Sequence, residues 1–484
     1  MEYLLGVDIG TSGCKIVIID LNGNIIYNDQ EYYQVYSPYP MWYEHDPEEW
    51  YAAFKRTLLR AVKNSDIRLS DILAVGVDGM MNTPTFLDRS GNVIRKSILW
   101  MDQRSISQTK ILSEKRLDQI FGLPASPVLL VTKLLWMIEN ESEVWKNTYK
   151  VILPKDYIVF KLTNNLVTDV SDASATMLYD NRIRKWSHDV CEELGLDVEK
   201  LPDVVDSTKV VGYISHQASL ETGLRSGIPV IAGCSDGAAD TLSAGVINTY
   251  DSLVRLGTTG AIFMPANKFL PDPELKYYVI AHCVPGLWLI HNIFPFGIPH
   301  KWFFNTFYSS LGKGDKVLSY DNIEIEASSV EMGSNGLIFL PYLDSEIGFK
   351  GGFFGIKTTH TRAHFARAVL EGIAFALKDT FTPFFKVTEK LEDIKLVGGG
   401  AKSKLLSQII CDVICLPVKI PAFQAACLGA AILCGVGTKL FRSFEDSVKK
   451  CVKISHTFEP TLSACKRYEE IFKQFIKVRE NLEK

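Results

Sequence analysis

The chain has 484 residues, 47% hydrophobic and 22% charged, which describes a globular protein of roughly two to four domains rather than a disordered or fibrous one. Its 52 basic and 56 acidic side chains leave a formal charge of −4, so no overall basic excess exists for gripping a nucleic-acid backbone. Ten cysteines are too sparse for a disulfide scaffold. Cys411 and Cys415, the two nearest in sequence, are expected to share one helical face as buried thiols. The opening MEYLLGVDIG has no basic segment and no cleavage site. The longest nearly apolar run, Ala425 to Gly437, is too short to span a bilayer. The default reading is a soluble cytoplasmic protein with neither membrane nor nucleic-acid partners.

Apolar runs at 3–9 and 14–20 read as strands joined by a tight turn from Gly10 to Gly13. Asn22-Gly23 marks a second hairpin, and 24–35 completes a meander. Asp46-Pro47-Glu48-Glu49 reads as a helix start, with Asp46 as cap, Pro47 at the first helical position and Glu49 closing a capping box. Trp50, Phe54 and Leu58 then follow at spacing four on one apolar face. Strands are expected at 72–78, 93–100 and 229–233. A second glycine-rich turn, Leu256-Gly257-Thr258-Thr259-Gly260, echoes Asp8-Ile9-Gly10-Thr11-Ser12-Gly13 and opens a second α/β half, with a boundary near 245–252. Phe365, Val369, Ile373 and Leu377 predict a buried helix. Strand 394–397 runs through Gly398-Gly399-Gly400-Ala401 into a helix carrying Leu405, Ile409 and Val413.

Both threonine-bearing turns suit an anion. Their glycines let backbone N–H groups face a phosphate, and Thr11, Ser12, Thr258 and Thr259 add hydroxyls. Each also reads as a plain hairpin. Lys15 adds charge, and Asp8 is a hard oxygen ligand suited to Mg²⁺. Three glycines between a strand and a helix let a flat group approach the backbone, with a helix N-terminus that favours negative charge. The spacing is not the dinucleotide-binding fingerprint. Asp236 follows an apolar strand in a loop of small residues, where a carboxylate can take a hydroxyl proton; it reads equally as a helix cap. His360 and His364 lack a third metal ligand, and their segment looks like a helix start.

Taken together, the order and spacing of these residues resemble the FGGY family of carbohydrate kinases, most closely its xylulokinase branch, over about residues 3 to 440. The carriers are DIGTSGCK at 8–15, WYEHDP at 42–47, LWMDQR at 99–104, TKLLW at 132–136 and LPKDY at 153–157. They continue with SDASAT at 171–176, SDGAA at 235–239, LGTTG at 256–260, RAVLEG at 367–372, GGGA at 398–401 and LGAA at 428–431. The resemblance implies an α/β fold of two actin-like (ribonuclease H-like) domains around a central cleft, here 1–247, mainly for the sugar, and 248–484, mainly for ATP. It implies domain closure over ATP, Mg²⁺ and a small sugar, and is consistent with a homodimer. Carried over by residue, Asp236 is the catalytic base, and Asp8 lies near the metal and the transferring phosphoryl group, with Asp236 as the second metal-side carboxylate. Gly10, Thr11, Ser12 and Lys15 form the first phosphate loop, and Gly257, Thr258 and Thr259 the second. Gly399, Gly400 and Ser403 form the nucleotide loop. Met81, Asn82, Asp102, Arg104, Asp236 and Gly237 contact or support the sugar.

Two departures bear on the substrate. Xylulokinases usually carry Gln-Met-His-Gly where this chain has Met80-Met81-Asn82-Thr83, and Asn cannot take a proton as His can. An ERTPH-like loop is replaced at 343–349, and Phe294 to Phe304 is unusually aromatic, as core or as the shape of the cleft mouth or a dimer contact. D-xylulose leads; another ketose, a polyol such as erythritol or glycerol, or gluconate follows. A regulator that binds sugar and nucleotide without catalysis is the other class, and retention of Asp8, Lys15, Asp236 and both threonine loops argues against it.

Overall fold

A computed structural model describes residues 2–308, 320–343, 350–388 and 390–482. From residue 344 on, the departure at 343–349 lies outside the described residues. Contacts divide the chain into two units. The first comprises Met1–Ile247, Pro265–Ile290 and Phe423–Lys453, and the second Asn248–Met264, His291–Ala422 and Ile454–Lys484. The later stretches 265–290 and 423–453 therefore pack with the first unit rather than with their sequence neighbours.

In the first unit, strands β1 (Tyr3–Ile9), β2 (Gly13–Asp20), β3 (Ile25–Tyr32), β4 (Ile72–Gly79), β5 (Val210–Tyr213) and β6 (Pro229–Ile231) form a sheet in the order β5-β6-β4-β1-β2-β3. The short β7 (Cys234–Ser235) also pairs with β4. The meander β1-β2-β3 is antiparallel, whereas β4 runs parallel to β1. Every residue of β1 is buried, as expected of a strand covered on both faces. The alternation shows which helix covers which face. Leu5, Val7, Ile9, Ile16 and Ile18 join Trp50, Phe54 and Leu58 of the helix Pro47–Asn64. Leu4, Val17 and Ile19 join Cys427, Ala431 and Cys434 of the helix Ala426–Gly437. That second helix approaches too closely for side chains at two points: a Cβ at Gly6 would lie 1.9 Å from the Cys427 carbonyl, and one at Gly76 would lie 2.1 Å from that of Ala430.

The second unit repeats the plan. Strands β8 (Asp251–Leu256), β9 (Gly260–Ala266), β10 (Trp288–Phe294), β11 (Asp393–Val397), β12 (Val418–Pro421) and β13 (Ile454–Phe458) stand in the order β10-β9-β8-β11-β12-β13, with β8 antiparallel to β9 and parallel to β11. Val369, Ile373 and Leu377 of the helix Arg362–Phe381 are buried. Of the aromatic run, Phe294, Phe296 and Phe303 are core, while Trp302 is 38% exposed.

Several expectations need correction. Asp46 caps the helix Pro47–Asn64 by accepting the Glu48 N–H at 3.0 Å, but Glu49 closes no capping box; it accepts the Tyr36 hydroxyl at 2.8 Å instead. The strand expected over 93–100 is only Ser97–Ile98, because its partner, Glu44–His45, is equally short. Cys415 does not share a helical face with Cys411. It terminates the helix Lys404–Ile414 at φ 62° and is disulfide-bonded to Cys465, while the other eight cysteines are buried free thiols. Among the described residues, no helix is long and apolar enough to cross a membrane.

Candidate active site

Asp8 is the penultimate residue of β1 and is 4% exposed. Hairpin register sets Lys15 opposite it, and Lys15 Nζ donates to Asp8 Oδ2 at 3.1 Å. The attraction of Asp8 raises the Lys15 pKa despite partial burial, so this lysine is charged at any physiological pH. The Gly10 N–H closes the turn onto the Gly13 carbonyl at 3.1 Å. Thr11 Oγ1 accepts the Trp100 indole N–H at 3.0 Å, and Ser12 is exposed.

Two strands away, Asp236 opens the helix Asp236–Ser243. It is not the cap: Ser235 holds that position, and Asp236 is the first helical residue, half-buried, with Oδ1 accepting the Gly237 N–H at 2.8 Å. Strand register joins these carboxylates through one that the sequence reading passed over. Asp78, on β4, is paired with Asp8 on one side and with Cys234 on the other. Asp78 is fully buried, and neither carboxylate oxygen has a hydrogen-bond partner. Burial pushes its carboxyl well above the usual carboxylate range, and Asp8, Asp236 and Asp240 push the same way. The signal was present in the sequence: the tripeptide Gly-Val-Asp occurs at 6–8 and again at 76–78, and the parallel register superposes the two copies residue on residue.

The residues expected at the sugar divide into supports and a lining. Asp102 is fully buried and saturated. It accepts the Tyr43 N–H at 2.6 Å, the Arg104 N–H at 2.8 Å and two bonds from the Arg104 guanidinium, each 2.9 Å. Arg104 also donates to Glu44 at 2.8 Å, and its guanidinium lies 4.0 Å from the centre of the Trp42 ring. These two side chains brace the 42–44 segment. Asn82 sits at φ 54° and is 5% exposed, and its Oδ1 accepts the Leu130 N–H at 2.9 Å, capping the helix Leu130–Asn140. Met81 beside it is half-buried, and Gly237 is buried.

In the second unit, Gly257, Thr258, Gly399, Gly400 and Ser403 line one cavity of about 720 Å³, together with Leu256, Phe296, Gly297, His300, Tyr320 and Leu406. Exposed Thr259 stands outside that lining. Three close approaches shape the cavity. A Cβ at Gly297 would lie 2.4 Å from the Thr258 carbonyl, one at Gly260 would lie 2.4 Å from the Phe294 ring, and one at Gly400 would lie 2.3 Å from the Phe296 ring. Gly399 faces open space, with nothing within 4 Å of a Cβ placed there. Lys301, Asp321, Glu324 and Lys402 add charged side chains to the lining, while burial lowers the His300 pKa to about 4 and its ring lies 4.9 Å from Tyr320. The N-terminus of the helix Lys404–Ile414 is already satisfied. Ser403 Oγ accepts the Leu406 N–H at 3.1 Å, and Glu324 accepts the Leu405 N–H at 2.5 Å. The attraction of that helix end for an anion, expected from the glycine run, is answered by the protein's own carboxylate.

Two sheets of like topology, one carrying an acidic centre and the other a glycine-lined cavity, describe a two-domain α/β protein. The comparisons identify which kind. The N-terminal domain of the FGGY family of carbohydrate kinases matches residues 3–243, and its C-terminal domain matches 254–438. The chain belongs to that family and is a carbohydrate kinase. It is 32% identical to a xylulose kinase of Lactococcus lactis over 99% of this chain and 97% of the relative. Two solved structures from Lactobacillus acidophilus, a ligand-bound xylulose kinase and a gluconate kinase, each match with a TM-score of 0.91 at 25% identity, covering 100% of this chain and 98% of theirs.

Proposed function

We propose that this kinase transfers the γ-phosphoryl group of ATP to a hydroxyl of a small sugar, with D-xylulose the leading substrate and Asp236 the general base. The observation that carries this reading is Asp236 itself. It is half-buried at the first position of the helix that follows β7, at the same end of the sheet as Asp8 and its partner Lys15. As the sugar oxygen attacks phosphorus, an O–P bond forms, the bond to the β-phosphate oxygen breaks, and the hydroxyl proton passes to Asp236. ADP leaves with the electron pair of the broken bond. Such transfers ask the protein chiefly for positioning and charge stabilisation.

The nucleotide is assigned to the second unit's cavity, with Gly399, Gly400, Gly257 and Thr258 as its backbone-rich wall. Thr11, Ser12 and Lys15 are assigned to phosphate oxygens from the first unit. The donor set near Asp8 and Asp236 is made of hard oxygens and fits Mg²⁺, which takes one or two carboxylates and completes its shell with water and phosphate. Among the described residues, no three His, Cys, Asp or Glu side chains are arranged to hold a metal alone. Bound there, Mg²⁺ would supply charge neutralisation on the phosphates.

A second substrate reading has its own observation. Asn82 stands where xylulokinases have His, and its Oδ1 is spent on the Leu130 N–H, so the group offered to a sugar differs. Gluconate, another ketose or a polyol such as erythritol or glycerol is therefore the alternative. Mg²⁺-dependent ADP release over D-xylulose, L-ribulose, D-gluconate, glycerol and erythritol decides between them. A single strong signal on a substrate other than D-xylulose replaces the leading assignment. Nucleotide binding without sugar-dependent turnover on any of them favours a non-catalytic sugar-binding regulator.

A further inference from the structure

Beneath the Asp236 loop lies a set of buried charges that the reaction does not use. Lys155 is fully buried and meets three carboxylates: Asp156, Asp169 at 3.1 Å and Asp172 at 3.1 Å. None of the four side chains is more than 1% exposed. One ammonium among three carboxylates is a poor way to stabilise a core, because desolvation of buried ions offsets their attraction. The cluster does, however, fix one hydrogen-bond chain. Asp169 Oδ2 accepts the hydroxyls of Ser171 at 2.7 Å and Ser207 at 2.6 Å. Ser171 Oγ, with its proton given to Asp169, accepts the Ser235 N–H at 2.9 Å.

Ser235 immediately precedes Asp236 and forms the cap position of its helix, yet its own side chain makes no capping bond, and its hydroxyl is buried without a partner. The Cys234–Ser235 peptide, one residue before Asp236, is thus held by Ser171 and by the pairing of β7 with β4 rather than by the local capping that usually sets a helix start.

We infer that Ser171 is a positioning residue for Asp236, carrying the rigidity of the Lys155–Asp169 pair to the backbone on which the catalytic carboxylate is mounted. The inference rests on the reading of Asp236 as the base. Displacements of about 1 Å at a reacting group cost on the order of 10²-fold, so a lost backbone anchor one residue away is felt in turnover before it is felt in binding.

The structure contains its own control. Ser207 donates to the same oxygen of Asp169 at almost the same distance but has no bond to Ser235. Ser171→Ala and Ser207→Ala each remove one buried donor to Asp169. Both are expected to lower thermal stability, Ser171→Ala the more, because it also leaves the buried Ser235 N–H without its acceptor. Only Ser171→Ala should lower kcat, by about 10–100-fold, with KM for ATP and for the sugar changed less than about twofold. Ser171→Cys, which keeps a weaker donor and acceptor, should fall between and carries the comparison if the alanine variant does not fold. Amide hydrogen exchange at Ser235 reads the anchor without catalysis: it should accelerate in Ser171→Ala and not in Ser207→Ala. Equal kcat losses in the two alanine variants, or unchanged Ser235 exchange in Ser171→Ala, overturn the inference. Retained turnover in Asp236→Asn would instead overturn the base assignment and leave the exchange result standing.

Discussion

The acidic centre of the first unit and the cavity of the second are built on the same strand plan, yet they handle charge differently. The first crowds charge: Asp8, Asp78, Asp236 and Asp240 act on one another with Lys15 as the nearby cation, and Asp78 is buried without a hydrogen bond. The second unit's cavity carries balanced charge, with Lys301 and Lys402 beside Asp321 and Glu324, pairs glycines against aromatic rings, and satisfies a helix end with Glu324. Crowded like charges raise the free energy of the empty site and make it receptive to a cation and to a proton. The close glycine–ring contacts set the shape of the cavity wall. Under the proposed function, chemistry is assigned to the first region and nucleotide binding to the second.

The most severe test of that division is Asp236→Asn. Loss of a general base should lower kcat by about 10²–10⁴-fold, while nucleotide affinity, measured by calorimetry, stays within about twofold. A matching loss of nucleotide affinity would merge the two roles.

A second test concerns the cost of burying polar groups in the first unit. His45 is 1% exposed, Trp50 Nε1–H donates to its Nδ1 at 3.1 Å, and its Nε2 has no partner. Burial lowers its pKa to about 4. Between about pH 6.5 and 4 the unfolded chain protonates this ring and the folded one does not, so stability rises with pH in that window. The contribution should be complete above pH 6.5 and fall by about 3 kcal/mol as the pH drops to 4. His45→Asn keeps an acceptor for Trp50 and should flatten that slope in denaturant titrations. An unchanged slope would place the pH dependence in other groups.

The third test separates shape from contact in the cavity wall. Gly400→Ala drives a Cβ into the Phe296 ring and should cost about 1–3 kcal/mol of stability. Gly399→Ala meets nothing and should leave stability within about 0.5 kcal/mol while weakening nucleotide binding several-fold. Equal stability losses would mean that the loop tolerates neither change and that Gly399 reports no ligand.

Much of this was readable in the chain. The β1-β2-β3 meander, the helix after Pro47 and the glycine run after 394–397 follow from short-range periodicity and turn residues, and the structure has them where the pattern places them. What escaped was long-range. Asp78 reads as an ordinary strand residue until β4 is laid parallel to β1 in register. Cys465 lies 50 residues from Cys415 and shares no motif with it. Asp102 and Arg104 are expected by position to contact or support the sugar, but their bonds to Tyr43, Glu44 and each other appear only in the structure.

The amino-acid sequence by itself determined the elements, the paired glycine turns and the carriers of the kinase resemblance, because each depends on residues within a few positions of one another. Only the tertiary structure decided that 265–290 and 423–453 pack with the first unit, that Gly6 and Gly76 admit the helix Ala426–Gly437, and that Ser171 anchors the peptide before Asp236. Those outcomes depend on pairings across tens to hundreds of residues. They are set by which faces can be buried together, a choice that no local pattern records.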